Sequence, residues 1–113
     1  MLAWLYAGHL IGDYLFQTKW MAINKDKKIL PLFCHSAVYA CAVWFSSLGA
    51  GGLPGLDWRG VLFVLFTHMI LDNRRFVMWW CRYITQSAPS ETLRTATDQA
   101  WHTAALALAC YIF

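Results

Sequence analysis

Seven ionisable side chains stand inside otherwise apolar stretches: His9, Asp13, His35, His68, Asp72, Asp98 and His102, with Gln17 and Gln99 beside them. Imidazole nitrogens and carboxylate oxygens are the donors that Zn, Mn, Fe or Ni accept, whereas Ca prefers all-oxygen sites and Cu(I) prefers sulfur. Their spacing is as informative as their type. Residues four apart lie on one helix face, so His9, Asp13 and Gln17 form one polar stripe, His68 and Asp72 a second, and Asp98 and His102 a third. All seven are expected as ligands of a divalent metal ion, with Gln17 and Gln99 orienting or capping them. Asp13 and Asp98 are the expected catalytic carboxylates, moving a proton beside the ion. His35 lacks an acid four residues away, and a role as a simple interhelical hydrogen-bonding group weighs equally there.

The elements that must carry these stripes follow from composition. Of the 113 residues, 59% are apolar and only 13% charged, against about 25% charged in an ordinary soluble domain. A mean hydropathy of +0.43 excludes disorder. A 13 kDa chain has too little polar surface to cover that apolar content in water, so a lipid environment is expected. Punctuation divides the chain into four stretches near the 20 residues needed to span a bilayer: about 2–20, 30–48, 58–75 and 91–113. The expected fold is all-α, one domain over 1–113, an up-down four-helix transmembrane bundle. Pro31 suits a first helical turn, Gly49 to Gly55 reads as a turn, and Phe76 to Tyr83, with Trp79 and Trp80 among arginines, reads as an interfacial continuation of the third span.

Lys19, Lys25, Lys27 and Lys28 flank the first connection and Arg74, Arg75, Arg82 and Arg94 the third, while only Arg59 is near the second. By the positive-inside rule the first and third connections face the cytoplasm and both termini the other side. In the first, third and fourth helices the aspartate is then the shallower residue and the histidine the deeper one. At 1.5 Å per residue the seven groups fall within roughly 20 Å of the cytoplasmic edge and are expected to converge on one cavity. Gly8-His9-Leu10-Ile11-Gly12-Asp13 and Thr67-His68-Met69-Ile70-Leu71-Asp72, each followed one helix later by another histidine, hint at a duplicated hairpin.

Other chemistries are excluded or weaker. A net charge of +3, diluted by apolar residues, makes no nucleic-acid face. Cys34, Cys41, Cys81 and Cys110 form no Cys-x-x-Cys pair and are expected as small apolar filling. The start Met-Leu-Ala-Trp has no basic n-region, so no cleaved leader is expected. Three readings compete with a metal centre. They are an ion or proton pathway through the Asp and His groups, haem held by paired histidines, and an accessory or regulatory membrane subunit, homodimeric or bound to another membrane protein.

Taken together, His9-Leu10-Ile11-Gly12-Asp13-Tyr14-Leu15-Phe16-Gln17, Trp20 with its lysine loop, His35, Thr67-His68-Met69-Ile70-Leu71-Asp72 and Asp98-Gln99-Ala100-Trp101-His102 resemble the DUF3307 family, small integral membrane proteins of bacteria and phages whose domain has no assigned function. The resemblance spans nearly the whole chain and implies a compact, multi-spanning protein carrying this His/Asp/Gln set. More distantly, the chain is similar to membrane-bound metal-dependent hydrolases. The leading expectation is therefore a metal-dependent hydrolase acting on an amphiphilic or membrane-proximal substrate.

Overall fold

The computed structural model describes residues 1–51 and 54–113. Its described residues form six α-helices: α1 (Leu2–Leu10), α2 (Lys19–Asn24), α3 (Ile29–Leu48), α4 (Trp58–Asp72), α5 (Arg75–Tyr83) and α6 (Glu91–Ile112). Local chemistry sets three of the six starts. Thr18, Asp57 and Ser90 each accept a hydrogen bond at the N-terminus of α2, α4 and α6, from the amides of Met21, Gly60 and Leu93 respectively. Such caps satisfy amides that the first turn leaves free. Of the expected glycine turn, Gly52 and Leu53 lie outside the described residues; Gly51 takes a φ of +50°, which glycine adopts without steric cost.

The four-span transmembrane bundle is corrected by this structure. Among the described residues only α3 is long and apolar enough to cross a membrane. The expected span over 2–20 breaks after Leu10. There the backbone widens into a π-helical turn over Ile11–Leu15, and the chain restarts as the six-residue α2. The expected span over 58–75 ends at Asp72, because Arg74 turns left-handed at φ 67° before α5 begins. Its 15 residues reach only about 22 Å, short of the roughly 30 Å hydrocarbon layer. Helix α6 has the length but carries Glu91, Arg94, Asp98, Gln99 and His102, which dilute its hydropathy.

Helix α1 packs on α3, α3 on α4, α4 on α6, and α6 returns to α1, closing a ring. Two glycines allow the first of these contacts. A Cβ on Gly8 would stand 2.7 Å from the Cα of Val43, and one on Gly12 would stand 2.9 Å from the Cα of Tyr39. Both are inside van der Waals contact, so only glycine lets the backbones of α1 and α3 approach this closely. Their sequence neighbours His9 and Asp13 are thereby driven into the ring. Leu5, Val43, Val64, Leu106 and Ala109 make an apolar plug around one end of the interior. Helix α5 lies against α4 and α6, with Val77 and Cys81 buried on Leu71, and Phe76 and Trp80 each 5.0 Å from the Trp101 ring.

Candidate metal centre

Next to the apolar plug lies a layer that is almost wholly imidazole and carboxylate. His9 and His35 are 0% exposed, His68 1%, His102 2%, Asp72 4% and Asp13 9%. Four helices and the π-helical turn supply these six groups. The wide turn matters because Asp13 sits within it, and such single-turn widenings re-aim a side chain relative to a regular helix.

The closest approaches fall among four residues. His35 Nε2 is 3.2 Å from Asp13 Oδ1 and 3.0 Å from Asp72 Oδ2; His68 Nε2 is 3.6 Å from each of those same oxygens. His102 Nε2 stands 4.0 Å from Asp72 Oδ1. Yet Asp13 Oδ1 and the Nε2 atoms of His35, His68 and His102 are buried without any hydrogen bond of acceptable angle. An unmade bond of this kind costs about 1–3 kcal/mol per group, and native proteins keep few of them. Here they are gathered at one point and face one another. An ion with bonds of about 2.1 Å sets neighbouring ligand atoms about 3.0–3.4 Å apart, close to the spacing seen. Two overlapping triads have ligand atoms that all lie within 4.8 Å of one another: Asp13, His68 and His102, and His35, His68 and Asp72. His68 belongs to both.

Tautomer and charge at His102, His68 and Asp72 agree with a ligand set. At His35 burial pulls the pKa down, but the facing carboxylates of Asp13 and Asp72 outweigh it and raise the pKa above 6.5, so an ion must displace its proton. The Nδ1 of His102 lies 2.8 Å from the Asp98 carbonyl oxygen, and a carbonyl can only accept, so Nδ1 carries the proton and Nε2 its free lone pair. For His68, burial pulls the pKa down from 6.5 to about 3, with the facing carboxylates of Asp72 and Asp13 offsetting only part of the fall. The ring is neutral at pH 7, the form that binds a metal. Burial pushes the Asp72 carboxyl up. The imidazoles of His35 and His68 and the Lys25 ammonium, at 2.8 Å, outweigh that and hold it well below the usual carboxylate range.

The other expected residues sit around this centre in different roles. His9 has both nitrogens occupied: Tyr39 Oη donates to Nδ1 at 3.0 Å, and Nε2 donates to Gln99 Oε1 at 2.8 Å. Asp98 is half-buried, accepts from the Gln99 side-chain amide at 3.3 Å and lies 3.7 Å from the His102 ring. Burial raises its pKa. Gln17 accepts from Lys25 Nζ at 2.8 Å. Asp13, Asp72, Asp98, Gln17 and Gln99 all line a cavity of about 290 Å³, which connects the buried centre to the surface.

Two residues of the site escaped the sequence reading. Tyr39, 1% exposed, bonds His9 and lays its ring on His68 at 3.6 Å between centroids and 13° between planes. Its position four residues after His35 was a usable signal, since it puts Tyr39 on the same stripe. Lys25 reads in sequence as one of a run of topology lysines. Nothing in its spacing separates it from Lys27 and Lys28, yet it is 9% exposed and paired with Asp72.

A family model described as a protein of unknown function, DUF3307, matches residues 1–113. The chain belongs to that family. No curated protein and no solved structure matches it.

Proposed function

We propose that this DUF3307 member holds one divalent metal ion, Zn, Mn, Fe or Ni, through His68 together with residues of the two triads, and uses it to hydrolyse a membrane-proximal substrate. The observation that carries the reading is the convergence of buried, unpartnered lone pairs from Asp13, His35, His68 and His102 beside Asp72. His35 Nε2 does come within 3.0–3.2 Å of both carboxylates, but a hydrogen-bonded network would also have partnered the Nε2 atoms of His68 and His102, which stand 3.6–4.0 Å from the nearest carboxylate oxygens. A bound ion supplies Lewis acidity to the scissile group and to an attacking water. The chain's own part is to fix the ligand tautomers and carry the proton. Asp98 suits the latter role, since it lines the cavity, stands outside both triads, and has a pKa raised by burial.

Attachment to a membrane is the second half of the proposal. Trp4, Phe45, Trp58, Phe66, Ile70 and Tyr111 are all exposed, among many other large apolar side chains. So much exposed apolar surface marks a site of lipid or protein contact. A conducting pathway has less support, because the buried layer ends on Leu5, Val43, Leu106 and Ala109. Haem also fits poorly: the ring centroids of His35 and His68, and of His68 and His102, are 5.0 Å apart, leaving no slot for a macrocycle.

Elemental analysis of the purified protein, with an absorption spectrum of the same sample, tests the reading. About one ion per chain is expected in the wild type and in Asp98→Asn, and almost none in His68→Ala. Metal-free wild-type protein would refute the centre, and a Soret band would replace it with haem. Separately, release of the chain from membranes by high salt alone would refute lipid attachment through apolar surface.

A further inference from the structure

The cavity that opens from the metal layer is lined on its outer side by cations. Lys25 is committed to Asp72 and Gln17. Arg74 and Arg94 also line it, and among the described residues neither makes an ion pair with a carboxylate. Arg94 is half-buried and donates to the Ala88 carbonyl, which aims its guanidinium from α6. Arg74 holds a left-handed φ of 67° at the start of α5, a conformation that glycine or asparagine would take more cheaply. From that position before α5 its side chain lines the same cavity as Arg94. Two guanidinium groups from different helices thus face one space whose floor is Asp13 and Asp72.

Resting on the metal reading above, we infer that this cavity binds the phosphate of a phosphate monoester, with Arg74 and Arg94 on its outer oxygens and the ion at its inner edge. Planar guanidinium forks match phosphate oxygens two at a time. Four acids, Asp13, Asp72, Asp98 and Glu91, share the lining with the three cations, so the cavity repels anions until a divalent ion neutralises the two inner carboxylates. Phosphate binding is consequently metal-dependent. The volume of about 290 Å³ admits a headgroup-sized ligand but not a long chain. Exposed Tyr14, Leu15, Phe16, Trp20 and Trp79 stand near the lining residues in sequence, so the same phosphate can belong to a soluble monoester or to a lipid headgroup.

The test measures metal content and phosphate binding on the same samples: wild type, Arg74→Gln/Arg94→Gln and Asp98→Asn, each metal-loaded and chelated. The probes are inorganic phosphate by calorimetry, and flotation with phosphatidylcholine vesicles containing or lacking one-tenth phosphatidic acid. Loaded wild type is expected to bind phosphate at least tenfold more tightly than chelated protein, and the double arginine variant to lose at least tenfold while keeping its ion. Asp98→Asn, which removes one of the four lining acids, is expected to keep its ion and to bind phosphate more tightly than wild type. Binding of inorganic phosphate identifies a soluble ligand; binding only to phosphatidic acid vesicles identifies a headgroup, and either result sustains the inference. Metal present with phosphate binding absent, or unchanged in the arginine variant, overturns the inference and spares the metal centre. Absence of metal in the wild type overturns both.

Discussion

His9 and His68 hold matching positions, each four residues before an aspartate and one helix before a further histidine, but their nitrogens meet different partners. Both nitrogens of His9 are used, one by Tyr39 and one by Gln99. Neither nitrogen of His68 has a hydrogen bond, and the ring is sealed in place by the Tyr39 stack. The first copy of the His-x-x-x-Asp pattern therefore spends its histidine on holding other groups still, and the second copy keeps its histidine free for a ligand. Tyr39 joins the two copies, with its hydroxyl on one ring and its face on the other. A shared motif fixes where a side chain is placed, while its neighbours fix what remains for it to bind.

The sharpest break of that comparison is His68→Ala against His9→Ala. Removing His68 deletes the ligand common to both triads, and metal content is expected to fall from about one ion per chain to under a tenth, read by elemental analysis. Equal loss in the two variants would erase the distinction between the copies. Asp72→Asn comes next. It weakens the ion's hold and leaves Lys25, 9% exposed, without its carboxylate. Removing one partner of a buried pair costs about 3 kcal/mol, and denaturant melts of chelated protein should show a loss of that size.

Acid should expose the same asymmetry in the chelated protein. His68 has a folded pKa of about 3 against 6.5 unfolded, so between those values the unfolded chain binds the proton and stability falls as pH drops. Asp72 is depressed too and adds a further loss below its ordinary 3.8. Asp98, raised by burial, opposes them as pH falls toward 3.8, and His35, lowered by burial but raised further by its carboxylate partners, opposes them as pH falls toward 6.5. Melts from pH 6.5 down to 5, below the range in which the raised His35 gains its proton, are expected to decline for wild type and to flatten for His68→Ala. An unchanged decline in the variant would assign the acid sensitivity elsewhere.

His9→Ala carries a smaller effect, about a tenfold loss of metal affinity with stoichiometry kept, as for other groups that orient a ligand from behind. The sequence made the stripes legible because a helix repeats every 3.6 residues, so His9 with Asp13 and His68 with Asp72 follow from spacing alone. It did not make legible which lone pairs stay free. That depends on Tyr39 and Gln99 arriving from other helices, and on Lys25 folding back from its loop onto Asp72. Spacing also could not locate the breaks that remove the long spans. Helix α1 ends at Leu10 through a widened turn that contains Gly12, and α4 ends at Asp72, two residues before the positive φ of Arg74; a lone glycine in an apolar helical pattern and an arginine do not mark a break by themselves.

The finest probe is Tyr39→Phe, which removes the hydroxyl from His9 while leaving an aromatic face on His68. His9 Nδ1 then loses its donor in a fully buried position, at a cost of about 1 kcal/mol, or roughly 4 °C in melting temperature for a chain of this size. The imidazole has one other group within reach, since Asp13 Oδ2 lies 3.5 Å from Nδ1. Moving the proton to Nδ1, with Gln99 turning its amide so that its NH2 group donates to Nε2, would make that contact a hydrogen bond and draw Asp13 toward α1, away from the ion. Metal affinity should accordingly fall a few-fold, less than in His9→Ala, with stoichiometry unchanged. Tyr39→Leu, which also strips the stack, should fall further. Were Tyr39→Phe to abolish metal binding as His68→Ala does, the tyrosine hydroxyl would belong to the ligand set, and the division of labour between the two copies would have to be redrawn.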